Sequence, residues 1–387
     1  MSWKHLFRRA FDAAPERLHL AAHSHHLWPD ASHDGQWQAW EDAAKLADRK
    51  WDRIMGELWP RAQADVAGEL GLPDPSTIVF APNTHELIVR LVSAIERPHP
   101  LRVLATDGEF HSFRRQSARW EAADEMTVER VAVEPFDSFA ERFVSAAESG
   151  EYDLIFVSHV MFNSGHVFDG IERLAALARP DGPWVVVDGY HAFMAIETDL
   201  SAVADRIFYV AGGYKYAMAG EGVAFLHAPP GYGPRPVYTG WYAEFDDLSL
   251  PPGAVGYAPD AGRFMGSTFD ASGLYRFLAV RQMLEAEGLT TAVIAAHVAR
   301  LHEHLLHAIR GTVLQGAELL NPLTGGPHAR FLAFRSPHAQ RWQAELMARD
   351  VITDVRGDVL RIGLGLYHDD EDIARFAKEA LHLGGGR

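Results

Sequence analysis

The chain contains no cysteine among its 387 residues. This absence excludes disulfide bonds, metal sites built on thiolates and any mechanism that proceeds through a cysteine nucleophile. Long apolar runs are also missing, since no stretch approaches the roughly 18 residues that a membrane span requires. Residues 1–9 lack the apolar core of a signal peptide. We therefore expect a soluble, cytoplasmic protein.

Positive charge is scarce relative to negative charge. The chain has 36 Lys and Arg against 52 Asp and Glu, a formal net charge of −16 with histidine neutral. Because a negative protein repels phosphates, this balance disfavours nucleic acid as a partner. The length allows two domains, and the sequence contains no internal repeat and no low-complexity segment.

Apolar, strand-like runs alternate with helix-like segments from about residue 77 to residue 228. The predicted strands are residues 77–80, 102–106, 130–133, 153–158, 184–188, 207–211 and 222–227. The predicted helices between them are residues 84–95, 111–123, 137–148 and 171–179. Repeated strand-helix-strand units imply a mostly parallel sheet that is covered on both faces. The loop between the last two strands is too short for a crossover helix, so these strands should be antiparallel.

The pattern changes after a Pro- and Gly-rich stretch, residues 251–256. The helices predicted beyond it are residues 271–287, 291–309, 337–348 and 369–383, and the strands are residues 330–334 and 359–362. This pattern is typical of a second, smaller α+β domain, against which the N-terminal segment should pack. We predict an N-terminal segment at 1–30, a large α/β domain at 31–255 and a small domain at 256–387.

Two polar residues occupy informative positions in the large domain. Asp188 ends an apolar strand, and Lys215 lies in the glycine-flanked loop between the last two strands. A pyridoxal phosphate (PLP) enzyme needs an acid that keeps the pyridine nitrogen protonated and a lysine that forms an imine. An Asp that caps a helix and a Lys in a surface turn are the alternative interpretation. The strand and loop that carry the two residues favour PLP.

A series of motifs spread from His19 to the last helix carries a family resemblance. They are Asp188-x-x-His191, Gly213-Tyr214-Lys215-Tyr216, Gly240-Trp241-Tyr242, Arg263-Phe264-Met265-Gly266-Ser267-Thr268, Asp354-Val355-Arg356, Arg361-Ile362 and Leu366-Tyr367. This ordered set resembles kynureninase, within the aminotransferase class V superfamily of fold-type I PLP enzymes. The resemblance implies the fold-type I PLP-dependent transferase architecture, with a mostly parallel seven-stranded sheet and a smaller C-terminal α+β domain.

The resemblance also implies roles around the cofactor. It makes Lys215 the residue that forms the imine and moves protons at Cα, Asp188 the partner of the pyridine nitrogen, and His191 the support of Asp188. Phe110 would stack on the ring, and Trp241 would complete the site, although either could be a packing residue. The further implied contacts, mainly with the phosphate, are Thr84, His85, Ser112, Tyr214 and Thr268. Thr84 and His85 also begin a predicted helix, whose free amides and dipole favour a phosphate.

The N-terminal segment departs from the family pattern where it should reach the substrate. His23 replaces an amide and His26 replaces a glycine, and we expect His23, Ser24 and His26 to line the substrate pocket. With His25 the segment has three close histidines, which could suggest a metal site. Without cysteine, and with Asp30 as the only acid nearby, we expect no metal.

The implied activity is that of a PLP-dependent hydrolase that cleaves a carbon-carbon bond of kynurenine or a related γ-oxo amino acid. Arg361 would hold the α-carboxylate of this substrate, and a structural ion pair is the alternative. An aminotransferase or β-elimination lyase could use the same scaffold. A regulatory PLP-binding protein is a weaker alternative, because a sensor would not need Arg361, and a cysteine desulfurase is disfavoured by the absence of cysteine. The resemblance further implies a homodimer with active sites at the subunit interface.

Overall fold

The computed structural model describes residues 2–98, 100–245 and 249–384. Its helices are α1 (Arg8–Ala13), α2 (Asp30–Leu46), α3 (Lys50–Arg53), α4 (Trp59–Glu69), α5 (Thr84–Ser93), α6 (His111–Glu121), α7 (Phe139–Ser149), α8 (Ile171–Ala175), α9 (Ser272–Ala286), α10 (Thr291–Ala308), α11 (Ala339–Met347) and α12 (Asp370–Ala380). Its strands are β1 (Leu18–His19), β2 (Ile78–Ala81), β3 (Leu101–Thr106), β4 (Met126–Val131), β5 (Leu154–Ser158), β6 (Trp184–Asp188), β7 (Ile207–Gly212), β8 (Ala224–His227), β9 (Glu318–Leu319), β10 (Phe331–Arg335), β11 (Val351–Ile352), β12 (Asp354–Arg356) and β13 (Val359–Gly363).

A seven-stranded sheet forms the centre of the molecule, in the order β2-β8-β7-β6-β5-β3-β4. Neighbours from β7 to β4 pair in parallel, whereas β8 is antiparallel to both β7 and β2. Strands β5 and β7 are buried along their whole length, as expected where helices cover both faces of a parallel sheet. The predicted mostly parallel sheet and its antiparallel final pair are confirmed.

The functional segments meet at the carboxyl ends of the parallel strands. Asp188 is the last residue of β6, and the loop with Lys215 follows β7. Helices α5 and α6 begin shortly after β2 and β3, which point in the same direction. In open α/β sheets this edge is where ligands bind.

A four-stranded antiparallel sheet, in the order β12-β13-β10-β9, forms the C-terminal part of the fold. Strand β1 pairs in parallel with β11, and Ala21 forms a bridge with Gly363. The N-terminal segment therefore contacts the C-terminal part, while its Phe7 and Leu27 belong to the core of the large sheet. The predicted domain ranges stay a prediction, and Met1 and residues 385–387 at their ends lie outside the described residues.

Sequence patterns assigned no element to residues 31–76, which the structure shows to be largely helical. Helix α2 packs along α9 with a face made of small and polar residues, and its buried positions are Ser32, Gly35 and Asp42. A Cβ at Gly35 would lie 2.6 Å from the carbonyl oxygen of Tyr275, so the two backbones approach closely. Such a face lacks the apolar periodicity by which an amphipathic helix is recognised.

Helix α1 and strands β1, β9, β11 and β12 were not predicted either, and the remaining differences concern the ends of elements. Strand β4 begins at Met126, four residues before its predicted start, and α8 ends at Ala175 rather than near Arg179. Among the described residues, no helix is long and apolar enough to cross a bilayer.

Candidate active site

A cavity of about 410 Å³ lies at the carboxyl edge of the large sheet. The residues predicted for the site that line it are Lys215, Asp188, His191, Tyr214, Thr84, His85, Phe110, Ser112, Arg361, His23 and Ser24. The lining residues that sequence analysis did not assign to the site are Asn83, Ser158, Val160, Phe162, Tyr190 and Arg356. Segments that are up to about 340 residues apart in the sequence thus converge on one cavity.

Lys215 is the central side chain of this cavity. Its Nζ lies 2.7 Å from Nε2 of His191 and is 5.7 Å and 5.4 Å from the ring centres of Phe110 and Tyr190. Burial and the positive charge of Arg361 lower the pKa of Lys215 to about 7, although Asp188 opposes the shift. A large fraction of this amine is uncharged at neutral pH, as a nucleophilic lysine requires.

Asp188 presents its carboxylate to the same cavity. Its Oδ1 accepts a hydrogen bond of 2.9 Å from the backbone N–H of Tyr190, which fixes the orientation of the group. Burial raises the pKa of Asp188, against the effects of that hydrogen bond and of the charge on Lys215. A protonated pyridine nitrogen would supply the positive partner that a buried carboxylate needs.

His191 is buried, and its ring bonds to Lys215 rather than to Asp188, which it was predicted to support. Its Nδ1 has no hydrogen-bond partner among the described residues. Burial and the nearby charge of Lys215 hold the pKa of His191 well below its usual value. The ring is therefore neutral, and its unpaired nitrogen is available to a bound group.

The beginnings of α5 and α6 form the end of the cavity that suits a phosphate. The side chain of Asn83 caps α5 by accepting from the backbone N–H of Glu86 at 3.0 Å. The N–H groups of Thr84 and His85, in the first turn, have no partner within the helix. Ser112 lies in the first turn of α6 and Tyr214 on the facing loop. Hydroxyls and free amides are the donors that a phosphate requires.

Phe110 is 39% exposed, and its ring lies edge-on to Phe162 with centroids 5.4 Å apart. It lines the cavity near Nζ of Lys215, so one ring face is open to a flat ligand. Lys215, Asp188, the aromatic wall and the phosphate donors together fit PLP. Bound PLP would supply an electron sink for a negative charge at the substrate Cα.

Arg361, on β13, is buried and already holds a carboxylate. Its Nη2 bonds to Oδ2 of Asp354 and its Nη1 to the carbonyl oxygen of Phe162. Burial raises the pKa of Asp354, whereas His23 and the charge of Arg361 lower it. The lowering effects are together larger than the effect of burial, so the net shift is downward. The structural ion pair left open by the sequence is thus present. The Nε of Arg361 is buried and has no partner among the described residues.

The histidine segment contributes only partly to the cavity. His23 is fully buried, stacks on Phe331 with ring centroids 4.7 Å apart, and lies 3.6 Å from Asp354. Burial lowers its pKa to about 3, so the ring is neutral. Ser24 lines the cavity beside His23, and Nδ1 of His25 bonds to the hydroxyl of Tyr214 at 3.0 Å.

His26 lies outside the cavity lining, in contrast to the prediction. It is buried with Nδ1 bonded to the carbonyl oxygen of Leu27 at 2.8 Å, and its ring packs edge-on against Tyr367. The chain bends between His23 and Leu27, so successive side chains point in different directions. Across the described ranges, no group of three His, Asp or Glu side chains is arranged to hold a metal.

Trp241 and Thr268 also lie away from this cavity. Nε1 of Trp241 is 3.3 Å from Oγ1 of Thr268, and the Trp241 side chain is 44% exposed. Thr268 lines a separate depression with Glu86 and Arg90. Within a single chain these two residues do not reach the cavity, so the roles that the resemblance implies for them stay a prediction.

Glu109 is a buried acid to which the sequence analysis gave no role. It accepts hydrogen bonds from the hydroxyls of Thr106 and Ser158, at 2.7 Å and 2.6 Å, and from the backbone N–H of Ser158. Burial raises its pKa to about 7, against these hydrogen bonds and with a small contribution from Asp188. Its position directly before Phe110 was the only available signal, because its partners come from two different strands.

Comparison with known protein families and sequences finds proteins similar to this chain. The family model of the kynureninase C-terminal domain matches residues 294–380. An isopenicillin N epimerase of Streptomyces clavuligerus is 28% identical over 361 residues, covering 86% of this chain and 87% of the relative. A kynureninase of Deinococcus radiodurans is 25% identical over 354 residues, covering 86% and 83%.

Solved structures show the same fold. The cystine C-S lyase C-DES, in complex with its product cysteine persulfide, aligns with a TM-score of 0.80 at 18% identity, covering 97% of this chain and all of that one. A C-DES mutant with glycine covalently linked to the PLP cofactor aligns with a TM-score of 0.82 at 17% identity, covering 99% of this chain and all of that one. The predicted fold class is confirmed.

Proposed function

We propose a function from the premise that this chain is a kynureninase-like, PLP-dependent enzyme of the aminotransferase class V superfamily that acts on an amino acid. The function is hydrolysis of a carbon-carbon bond in kynurenine or a related γ-oxo amino acid. The observation that carries it is the convergence of Lys215, Arg361 and His23 on one cavity with an aromatic wall. The three side chains supply a base, a carboxylate-binding group and a neutral imidazole.

Binding of the substrate follows from the positions of the polar groups. The α-carboxylate would bind to the unpaired Nε–H of Arg361, whose guanidinium is held in place by Asp354 and by the carbonyl oxygen of Phe162. Phe162 provides an apolar surface for an aromatic substrate side chain. Arg356, which also lines the cavity, adds positive charge on the same side.

Proton transfer at Cα is assigned to Lys215. Nζ of Lys215, a large fraction of which is uncharged at neutral pH, removes the proton from the substrate Cα, while His191 at 2.7 Å restrains Nζ. The neutral ring of His23 orients the water that adds to the γ-carbonyl, and the proton that this water loses ends on Cβ when the carbon-carbon bond breaks. One water is consumed, the bond between Cβ and the carbonyl carbon breaks, and the products are a carboxylic acid and alanine.

Epimerisation of an amino acid is the second candidate. The match to isopenicillin N epimerase over 86% of this chain favours it, and the first event, removal of the Cα proton by Lys215, is the same. Return of a proton to the opposite face would then replace bond cleavage. Sulfur transfer through a cysteine of this chain is excluded, because the chain has none.

Product analysis of the purified, PLP-loaded protein tests the assignment. Kynurenine, 3-hydroxykynurenine and a panel of amino acids would be incubated with it, and products separated on a chiral column. We expect alanine together with the aromatic acid from a γ-oxo substrate, and no reaction with Lys215→Ala. Inversion at Cα without cleavage would establish the epimerase instead, and amino-group transfer to an oxo acid would contradict both.

A further inference from the structure

A second, open groove of about 980 Å³ runs along the outer face of α6. It shares His85 and Ser112 with the active-site cavity. These are two of the residues that form the phosphate end of that cavity. The groove therefore leads from the surface to the place where a phosphate would bind.

The groove is lined by positive charge. Arg114, Arg115 and Arg119 project from α6 and are exposed, and none of them forms an ion pair or side-chain hydrogen bond within the described part of the chain. Of the residues that the structure describes, no Asp or Glu belongs to its lining. By contrast, the adjacent Glu121 is engaged by Arg130 at 2.5 Å and lies outside the groove.

The positive field extends from the groove to the substrate end of the cavity. His111, at the first position of α6, has its pKa lowered by burial and then by the charges of Arg114, Arg356 and Arg361. Arginines of both the groove and the cavity are therefore close enough to affect the pKa of the same imidazole ring.

This local charge opposes the charge of the whole chain. At a net charge of −16, the protein as a whole repels PLP, whose phosphate carries close to two negative charges near neutral pH. Clefts lined by charge of one sign focus the field and raise association rates of oppositely charged ligands by about 10-fold to 1000-fold. A local positive approach would offset the general repulsion.

We propose that Arg114, Arg115 and Arg119 form an anion-guiding groove through which the phosphate of PLP approaches its binding site. The proposal rests on the PLP dependence stated above and concerns the rate of cofactor loading, not the reaction. The three arginines act at a distance before PLP reaches Thr84, His85 and Ser112. They should therefore change the association rate constant more than the dissociation rate constant.

The test compares PLP binding to full-length, PLP-free protein in a stopped-flow instrument, by quenching of tryptophan fluorescence. Replacing Arg114, Arg115 and Arg119 by Gln should slow association roughly tenfold at low ionic strength and leave dissociation within about twofold. Salt should slow the wild type and have much less effect on the variant. Pyridoxal, which lacks the phosphate, should bind at the same rate to both proteins.

A matched control has the same net charge as the triple Gln variant of the groove, but its three substitutions lie elsewhere on the surface. Arg9, Arg49 and Arg310 are exposed arginines without an acidic partner in the described residues and lie outside the groove. Replacing these three by Gln should leave PLP association near the wild-type rate. Equal slowing by both triple variants, equal slowing of pyridoxal, or association that is insensitive to salt would each overturn the proposal. Failure of PLP to attach to Lys215 at all would instead refute the cofactor assignment itself.

Discussion

The amine of Lys215 determines how this protein takes up its cofactor as pH changes. Because burial and Arg361 lower the pKa of Lys215 to about 7, its reactive, uncharged form is present at neutral pH. We expect the rate of covalent attachment of PLP to rise with pH up to about 7 and then to level off. The rate would be followed by the absorbance of bound PLP, and borohydride reduction with peptide mass spectrometry would locate the modified lysine. A rate that keeps rising toward the ordinary lysine value of 10.5, or modification of another lysine, would contradict this expectation.

A second prediction concerns the negative charge of Asp188. Asp188→Asn retains the shape of the side chain and can still accept from the N–H of Tyr190, but it loses the negative charge at the pyridine nitrogen. Removal of the Cα proton should then slow by several orders of magnitude. Hydrogen-deuterium exchange at the Cα of a bound amino acid measures this step without knowledge of the product. If the variant exchanged at the wild-type rate with normal PLP content, the assigned role would be wrong.

Single residues were predictable where the motif itself is local. Asp188, His191, Tyr214 and Lys215 lie close together in sequence, and the structure places all four on the cavity. His26 was expected in the pocket because it replaces a glycine of the family pattern, but it lies outside the cavity lining, since a position in the sequence does not indicate where a side chain points. The pairing of Arg361 with the carbonyl oxygen of Phe162 joins residues 199 positions apart, and no sequence pattern reports such a contact.

At the level of secondary structure, Glu109 connects the ends of two strands. It bonds to Thr106 at the end of β3 and to Ser158 at the end of β5. Its pKa in the folded protein is raised to about 7, from the ordinary value of 4.5, so the folded state holds a proton that the unfolded chain releases. The resulting stabilisation is complete below about pH 4.5 and is lost as pH rises through about 7.

Glu109→Gln tests this linkage, because the amide cannot titrate. The free energy of unfolding of the PLP-free protein would be measured with urea at several pH values between about 5 and 8. We expect the wild type to lose stability over this range relative to the variant, so that the difference between them narrows or reverses with increasing pH. Parallel pH profiles would show that Glu109 keeps an ordinary pKa in the folded state.

Elements with regular apolar patterns were predicted well, and those without were not. The central strands are runs of Val, Ile and Phe, and β6 has the predicted bounds, 184–188. Helix α2 was missed because it buries Ser32, Gly35 and Asp42 against α9, whose Tyr275 donates a hydrogen bond to Asp42 at 2.8 Å. The partner of this face lies more than 200 residues away, so the helix is defined by tertiary contact.

At the level of the whole molecule, the positions of Trp241 and Thr268 concern assembly. Both lie outside the cavity of their own chain, and Tyr238 and Trp241 are 59% and 44% exposed. We expect a homodimer, with a mass twice the 42.9 kDa of the chain by analytical ultracentrifugation. A stable monomer that binds PLP with full affinity would contradict this. The predicted cytoplasmic location stays a prediction.

Mixing two defective variants distinguishes a contribution between subunits from one within a chain. Lys215→Ala cannot attach PLP, and Thr268→Ala should bind it weakly if Thr268 completes the phosphate site. In a mixed dimer, the subunit with intact Lys215 would receive the intact Thr268 of its neighbour, and tight PLP binding should return at half of the sites. If tight PLP binding did not return after the two variants were refolded together, Thr268 would contribute to the site of its own chain.

The contact of the N-terminal segment with the C-terminal part also has a consequence for synthesis on the ribosome. His23 and Ser24 line the cavity together with Arg356 and Arg361, which come from the other end of the chain. His23 is enclosed only when Phe331 and Gly363 are present. The pocket is therefore completed only after nearly all of the chain has been translated. A nascent polypeptide that already displays Lys215 has not yet formed the side of the cavity that contains Arg361.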